Sequence, residues 1–169
     1  PALKAKPRGK LDPRDMGLGE SIALSVIKNQ LLLRHLIKHY SGRELRQIDP
    51  AVQKVIAIGL AQLRFFTRIP ASAAVDEAVE QAKRLRLGRA GGFVNAVLRR
   101  STREPFELPK REETERYVQI ALSHPQDLWH RLVKAMGEKK ALQLCEKNNT
   151  IAPTILRLGD DTKSLEPST

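Results

Sequence analysis

Cysteine is all but missing from this sequence: Cys145 stands alone among 169 residues. One cysteine excludes an internal disulfide and a cysteine zinc cluster, so a reducing, cytoplasmic setting is expected. Aromatic residues make up only 4% of the chain, which argues against single-strand binding built on stacked bases. No apolar run approaches the ~20 residues that span a bilayer. No basic stretch followed by an apolar segment opens the chain, so no secretory leader is read there. The chain opens on Pro1 rather than Met, and a fragment or processed product is expected. Acidic residues are missing where they would matter most: from Gln81 to Arg103 there is no Asp or Glu.

What is present is basic charge. The formal net charge is +11 and the pI about 10.2. An excess of this size points to nucleic acid or another anionic surface. Apolar content of 41% suffices for a core, and the length suits one domain, or one domain plus part of another.

Helical periodicity dominates. The first ten residues, "PALKAKPRGK", hold three Lys, one Arg and no acid, and residues 1–14 read as a flexible basic arm. From Asp15 to Tyr40, Ile22, Val26, Leu33, Ile37 and Tyr40 recur at near 3.6-residue steps, with Leu24, Ile27 and Leu31 widening the apolar face, and predict a single helix stopped by Ser41–Gly42. Asp49 and Pro50 are the N-cap and first position of the next helix. Gly59 lies on that helix's apolar stripe and marks a close helix contact. Another helix starts after Pro70, buries Ala74, Val75, Ala78, Val79, Ala82 and Leu85, and stops at Gly88. "GRAGGFVNAVLRR" (Gly88–Arg100) supplies a further helix running to about Arg103, and "EPFELP" (Glu104–Pro109) breaks the pattern.

A second unit follows. Lys110–Leu122 is amphipathic and acidic at its start, Ser123 stands near the N-cap of a helix ending at Gly137, and "EKKALQLCEKNNT" makes one more. "APTILRL" reads as a strand. The expected architecture is all-α: a helical bundle over 15–109 and a helical extension over 110–169, with that one terminal strand.

Seven cations crowd the acid-free stretch: Lys83, Arg84, Arg86 and Arg89 around one helix end, and Arg99, Arg100 and Arg103 at the end of the next. One or two would be accounted for by the helix dipole. Seven suit a phosphate backbone, and arginine suits forked phosphate contacts. The glycines form no nucleotide loop, since no strand precedes them. Gly91 and Gly92 are read as positions of close backbone approach. Asn95 is read as a buried amide bonded to a neighbouring segment, in preference to an exposed amide beside Arg99. Asp76, Glu77 and Glu80 form a solvated face with Glu80 paired to Arg84 at i,i+4. His35, His39, His124 and His130 lack the company of a metal site. Cys145 has no base beside it, Trp129 is a packing anchor, and no catalytic site is read in the chain.

Taken together, "IDPAVQKVIAIGLAQLRFFTRIPASAAVDEAVEQAKRL" and "GRAGGFVNAVLRR" closely resemble the NusB-like domain at the N-terminus of the RsmB/Sun (Fmu) family of rRNA cytosine-C5 methyltransferases. "LDPRDMGLGESIALSVIKNQLLLRHLI" is similar to the stretch before it, with "RDM" where the family has "DR". The segment "LSHPQDLWHRLVKAMGEKKALQLCEKNNTIAPTILRL" looks like that family's linker, with Gly159 where its Asn is expected. The resemblance implies an RNA-binding module that positions substrate for a methyltransferase domain using S-adenosylmethionine. No glycine-rich loop for that cofactor and no Pro-Cys motif occur here, so this chain itself is expected to hold no cofactor and to have no catalytic residues. Expected partners are rRNA and, if the chain acts like the antitermination factor NusB, a ribosomal protein.

Overall fold

In the computed structural model, residues 12–150 are described. They form eight helices and no strand. The strand expected at 152–158 and the Gly159 position lie outside the described residues, as does most of the expected basic arm. Pro13 and Arg14, assigned to that arm, instead open helix α1 (Pro13–Lys28). Asp12 is the reason: its carboxylate accepts the Arg14 N–H at 2.9 Å, and Pro13 has the φ a first helical turn requires.

The single helix expected from Asp15 to Tyr40 is two, and Leu24 and Ile27, expected on its apolar face, are exposed. α2 (Gln30–Ser41) starts after a break at Asn29. The cause is a distant side chain. Ser123 Oγ accepts the backbone N–H of Leu31 at 2.9 Å and lies 3.4 Å from that of Leu32. Those amides would otherwise continue the ladder of α1. The Asn29 side-chain amide meanwhile donates to Ser25 O at 2.9 Å.

α3 (Pro50–Phe65) begins as its sequence predicts: Asp49 accepts from Ala51 N at 2.7 Å, with Pro50 behind it. α4 (Ala71–Arg84) and α5 (Ala90–Arg103) form a hairpin against it, and Leu85, expected on the buried side, is exposed just past the end of α4. The core contains Leu33, Leu36, Ile37, Ile56, Val94 and Leu98, all almost fully buried. Gly59 is the close contact expected of it. A Cβ built there would stand 2.6 Å from Leu98 Cδ1, inside any real contact distance.

Beyond the irregular segment 104–113, the chain does not form the long helix expected over Lys110–Leu122. Lys110–Glu113 is a turn, closed by Glu113 N donating to Lys110 O at 3.0 Å. A single α-turn, α6 (Thr114–Arg116), then passes into a π-helical stretch, Tyr117–Ala121. Ser123 follows at φ +56, a left-handed conformation that turns its hydroxyl toward the α2 N-terminus. α7 (Gln126–Met136) and α8 (Glu138–Asn148) complete a second, smaller core of Val118, Leu122, Trp129, Ala141 and Cys145. Trp129 is the packing anchor expected of it. Burial pushes the Cys145 thiol up from its ordinary value.

Candidate nucleic-acid interface

The α4–α5 turn is where the sequence concentrates charge, and its backbone is unusual. α4 was expected to stop at Gly88. It stops earlier, with Arg86 in the left-handed position at φ +54. Leu87 N donates to Ala82 O at 3.1 Å and Arg86 N to Lys83 O at 2.9 Å. This is the paired-bond ending that glycine ordinarily occupies. Leu87 packs partly against the main core and holds the turn in place. Gly88, also left-handed at φ +61, makes the second bend that starts α5.

The seven expected cations do not form one array. α5 spans 14 residues, which at 1.5 Å per residue separates its two ends by about 20 Å. Lys83, Arg84, Arg86 and Arg89 gather at the turn, and Arg99, Arg100 and Arg103 at the far end.

Nor are all seven available. Lys83 pairs with Glu80 at 2.5 Å and Arg84 with Glu77 at 3.3 Å. The expected Glu80–Arg84 pairing therefore gives way to one in which each acid finds a different cation along α4. The Lys83 ammonium, hydrogen-bonded to Glu80, holds the Glu80 carboxyl below its usual value. Arg100 pairs with Glu104 at 2.8 Å and also donates to Tyr40 O at 3.2 Å. The acids that do this lie just outside the acid-free window, one or two turns away along the helix. Among the described residues, Arg86, Arg89, Arg99 and Arg103 have no carboxylate partner.

Asn95 is half-buried, not buried, and does not bond to a neighbouring segment. Its Oδ1 accepts from Arg99 Nε at 2.8 Å. The glycines also differ from expectation. A Cβ at Gly91 would make an ordinary contact with Val79 Cγ1 at 3.7 Å, and one at Gly92 would meet open space. No backbone approaches either. What they leave instead is an open groove of about 540 Å³ between α4 and α5, lined by Asp76, Glu80, Lys83, Arg89, Gly92 and Asn95 among others.

One cation was missed. Arg43, in the link after α2, lies over the Phe93 ring at 5.0 Å from its centroid, on the flank of α5 where Arg100 also sits. Fifty residues separate Arg43 from Phe93 in the chain, and no local pattern joins them. Other titratable residues serve structure. His35 and His39 pack around Phe106 at 5.3 and 5.0 Å. His124 is buried, with Nδ1 2.7 Å from Leu122 O. Among the described residues no group of three His, Cys, Asp or Glu is placed to hold a metal, and no helix is long and apolar enough to cross a membrane.

The model of the NusB family fits residues 2–103, which include α1 to α5. The chain is 38% identical over 149 residues to ribosomal RNA small subunit methyltransferase B of Pseudomonas putida, and 34% identical over 152 residues to the protein of that name from Vibrio cholerae. Each alignment covers 88% of this chain and 33% of the relative, so the chain spans about a third of the length of the curated relatives it matches. No solved structure matches it. With a family model fitting more than half of the chain, and fitting the helices that build its main core, the chain belongs to the NusB family.

Proposed function

We propose that this chain is an RNA-binding module that positions small-subunit rRNA for cytosine-C5 methylation by a catalytic domain of a longer protein. The observation that carries this reading is the set of four arginines without carboxylate partners, Arg86, Arg89, Arg99 and Arg103, spread over the α4–α5 turn and along α5. Lys83, Arg84 and Arg100 beside them are matched by carboxylates, and these four are not. The relatives' printed name, a ribosomal RNA methyltransferase, supports the choice of rRNA. In this reading residues 15–109 are the binding unit and 110–169 lead toward the catalytic domain, in the cytoplasm.

The methyl donor S-adenosylmethionine does not fit the residues described. Gly88 lies in the turn between α4 and α5 and Gly91 and Gly92 in the first turn of α5, none of them after a strand, and Cys145 is buried in the second core. The cofactor and the chemistry belong to the remainder of the longer protein. A ribosomal protein is less well served than RNA, because two of the acids that would face it, Glu77 and Glu80, are paired within α4.

Binding driven by phosphate contacts weakens steeply with salt, each neutralised phosphate contributing roughly 0.7–0.9 to the slope of log affinity against log salt. Labelled fragments of small-subunit rRNA are titrated with the chain at several salt concentrations. Nanomolar to micromolar binding with a slope of several is expected. The combined Arg86→Ala, Arg89→Ala, Arg99→Ala and Arg103→Ala variant loses most of it. Unchanged affinity and slope in that variant sink the reading.

A further inference from the structure

Arg99 is unlike the other three unpaired arginines. Arg86, Arg89 and Arg103 have no side-chain hydrogen bond among the described residues, whereas Arg99 is held at Nε by Asn95. The partner is a neutral amide, four residues back on the same side of α5. A carboxylate in that place would orient the guanidinium and also cancel its charge, as Glu104 does for Arg100. An amide orients it and leaves the charge whole. The bond takes Nε alone, so the two terminal nitrogens stay available as a fork for phosphate oxygens. Asn95 also lines the groove between α4 and α5. Arg103 follows one turn along the same face, about 6 Å further.

We propose that Asn95 is a positioning residue that fixes the Arg99 guanidinium for a forked contact with one RNA phosphate. This rests on the RNA-binding reading and adds a role that charge alone does not predict. Ordering a long side chain before binding saves the entropy of fixing it on contact. Asn95→Ala should therefore weaken binding of the rRNA fragment about three- to tenfold while leaving the salt slope unchanged, since no charge is lost. Asn95→Asp keeps an acceptor for Nε but neutralises the pair. It should weaken binding at least as much and lower the slope by roughly 0.7–0.9, the share of one phosphate contact. Alanine is the better helix former, so loss of the helix does not account for a weaker Asn95→Ala variant.

The deciding experiment is a double-mutant cycle read by fluorescence anisotropy at several salt concentrations, with Asn95→Ala made in the wild-type and Arg99→Ala backgrounds. The expected result is a loss in the first background and none in the second. Equal losses in both backgrounds, or no loss in either while Arg99→Ala weakens binding, overturn the positioning role and leave the RNA-binding reading intact. If Arg99→Ala is silent while the Arg86, Arg89 and Arg103 triple variant binds weakly, this proposal again fails alone. If none of these variants changes affinity, both fail together.

Discussion

Ser123 caps a helix that begins ninety-odd residues earlier in the chain: its Oγ accepts the Leu31 amide at 2.9 Å with a sequence separation of 92. The α2 N-terminus has no cap of its own, because Asn29 makes no side-chain capping bond there. The second unit therefore completes the first. It also breaks what would be one long helix into α1 and α2. Ser123→Ala should cost about 0.5–2 kcal/mol, the ordinary value of a lost N-cap. Urea denaturation measures this as a lower midpoint, and an unchanged midpoint would show that water replaces the hydroxyl.

Gly59 and Gly92 make a matched pair of tests. Gly59→Ala places a methyl 2.6 Å from Leu98 Cδ1 in a core where Leu98 is fully buried. Overpacking of this kind costs about 1–3 kcal/mol, against which alanine returns only about 0.5–1 in helix propensity. Combining it with Leu98→Val should recover part of the loss. Gly92→Ala meets nothing and should stabilise the chain by about 0.5–1 kcal/mol. Thermal melts of the two variants should move in opposite directions.

Arg86 stands where glycine is preferred. A left-handed non-glycine residue costs roughly 1–2 kcal/mol, partly offset by glycine's greater freedom in the unfolded chain. Arg86→Gly should raise the unfolding free energy by about 0.5–1 kcal/mol. If its charge serves RNA, the same variant should bind rRNA more weakly with a smaller salt slope. A variant both more stable and equally tight would assign Arg86 no part in binding.

Charge pairing predicts which cations matter. Lys83→Ala and Arg84→Ala remove charges already matched by Glu80 and Glu77. They should change the salt slope by less than Arg89→Ala or Arg103→Ala, for which roughly 0.7–0.9 each is expected. Equal slopes across all four would mean that the ion pairs open on binding.

His35 gives a pH dependence. Burial, with the neighbouring His39 next in importance, lowers its pKa below the ordinary 6.5. Below pH 6.5 the unfolded chain therefore takes up a proton that the folded chain resists. The contribution of His35 is full above 6.5 and is lost as pH falls from there through the lower folded value. The melting temperature of wild type should fall more between pH 7 and pH 5 than that of His35→Gln. Parallel curves for the two proteins would remove His35 as the cause.

Much of this was legible in the sequence because the physics is local. Asp49–Pro50 starts α3 for reasons contained in two residues. The Gly59 contact was readable because a glycine on an apolar stripe has no other use. Asn95 was misread for the opposite reason. Whether a helical amide faces inward depends on which neighbour covers it, and four residues away stood an arginine able to take its oxygen. The cation cluster was legible along the chain but its pairing was not, since its neutralising acids lie beyond the acid-free window.

The sequence by itself determined the helical class, most of the helix starts, the main core and the basic character, because apolar period, caps and composition act over a few residues. Only the tertiary structure decided that Ser123 would interrupt the first long helix, that Arg43 would lie on Phe93, and that four of seven cations would remain unpaired. Each of these depends on groups brought together by packing across many residues or several helix turns, and Coulomb and hydrogen-bond energies fall off with distance in space, not with distance along the chain.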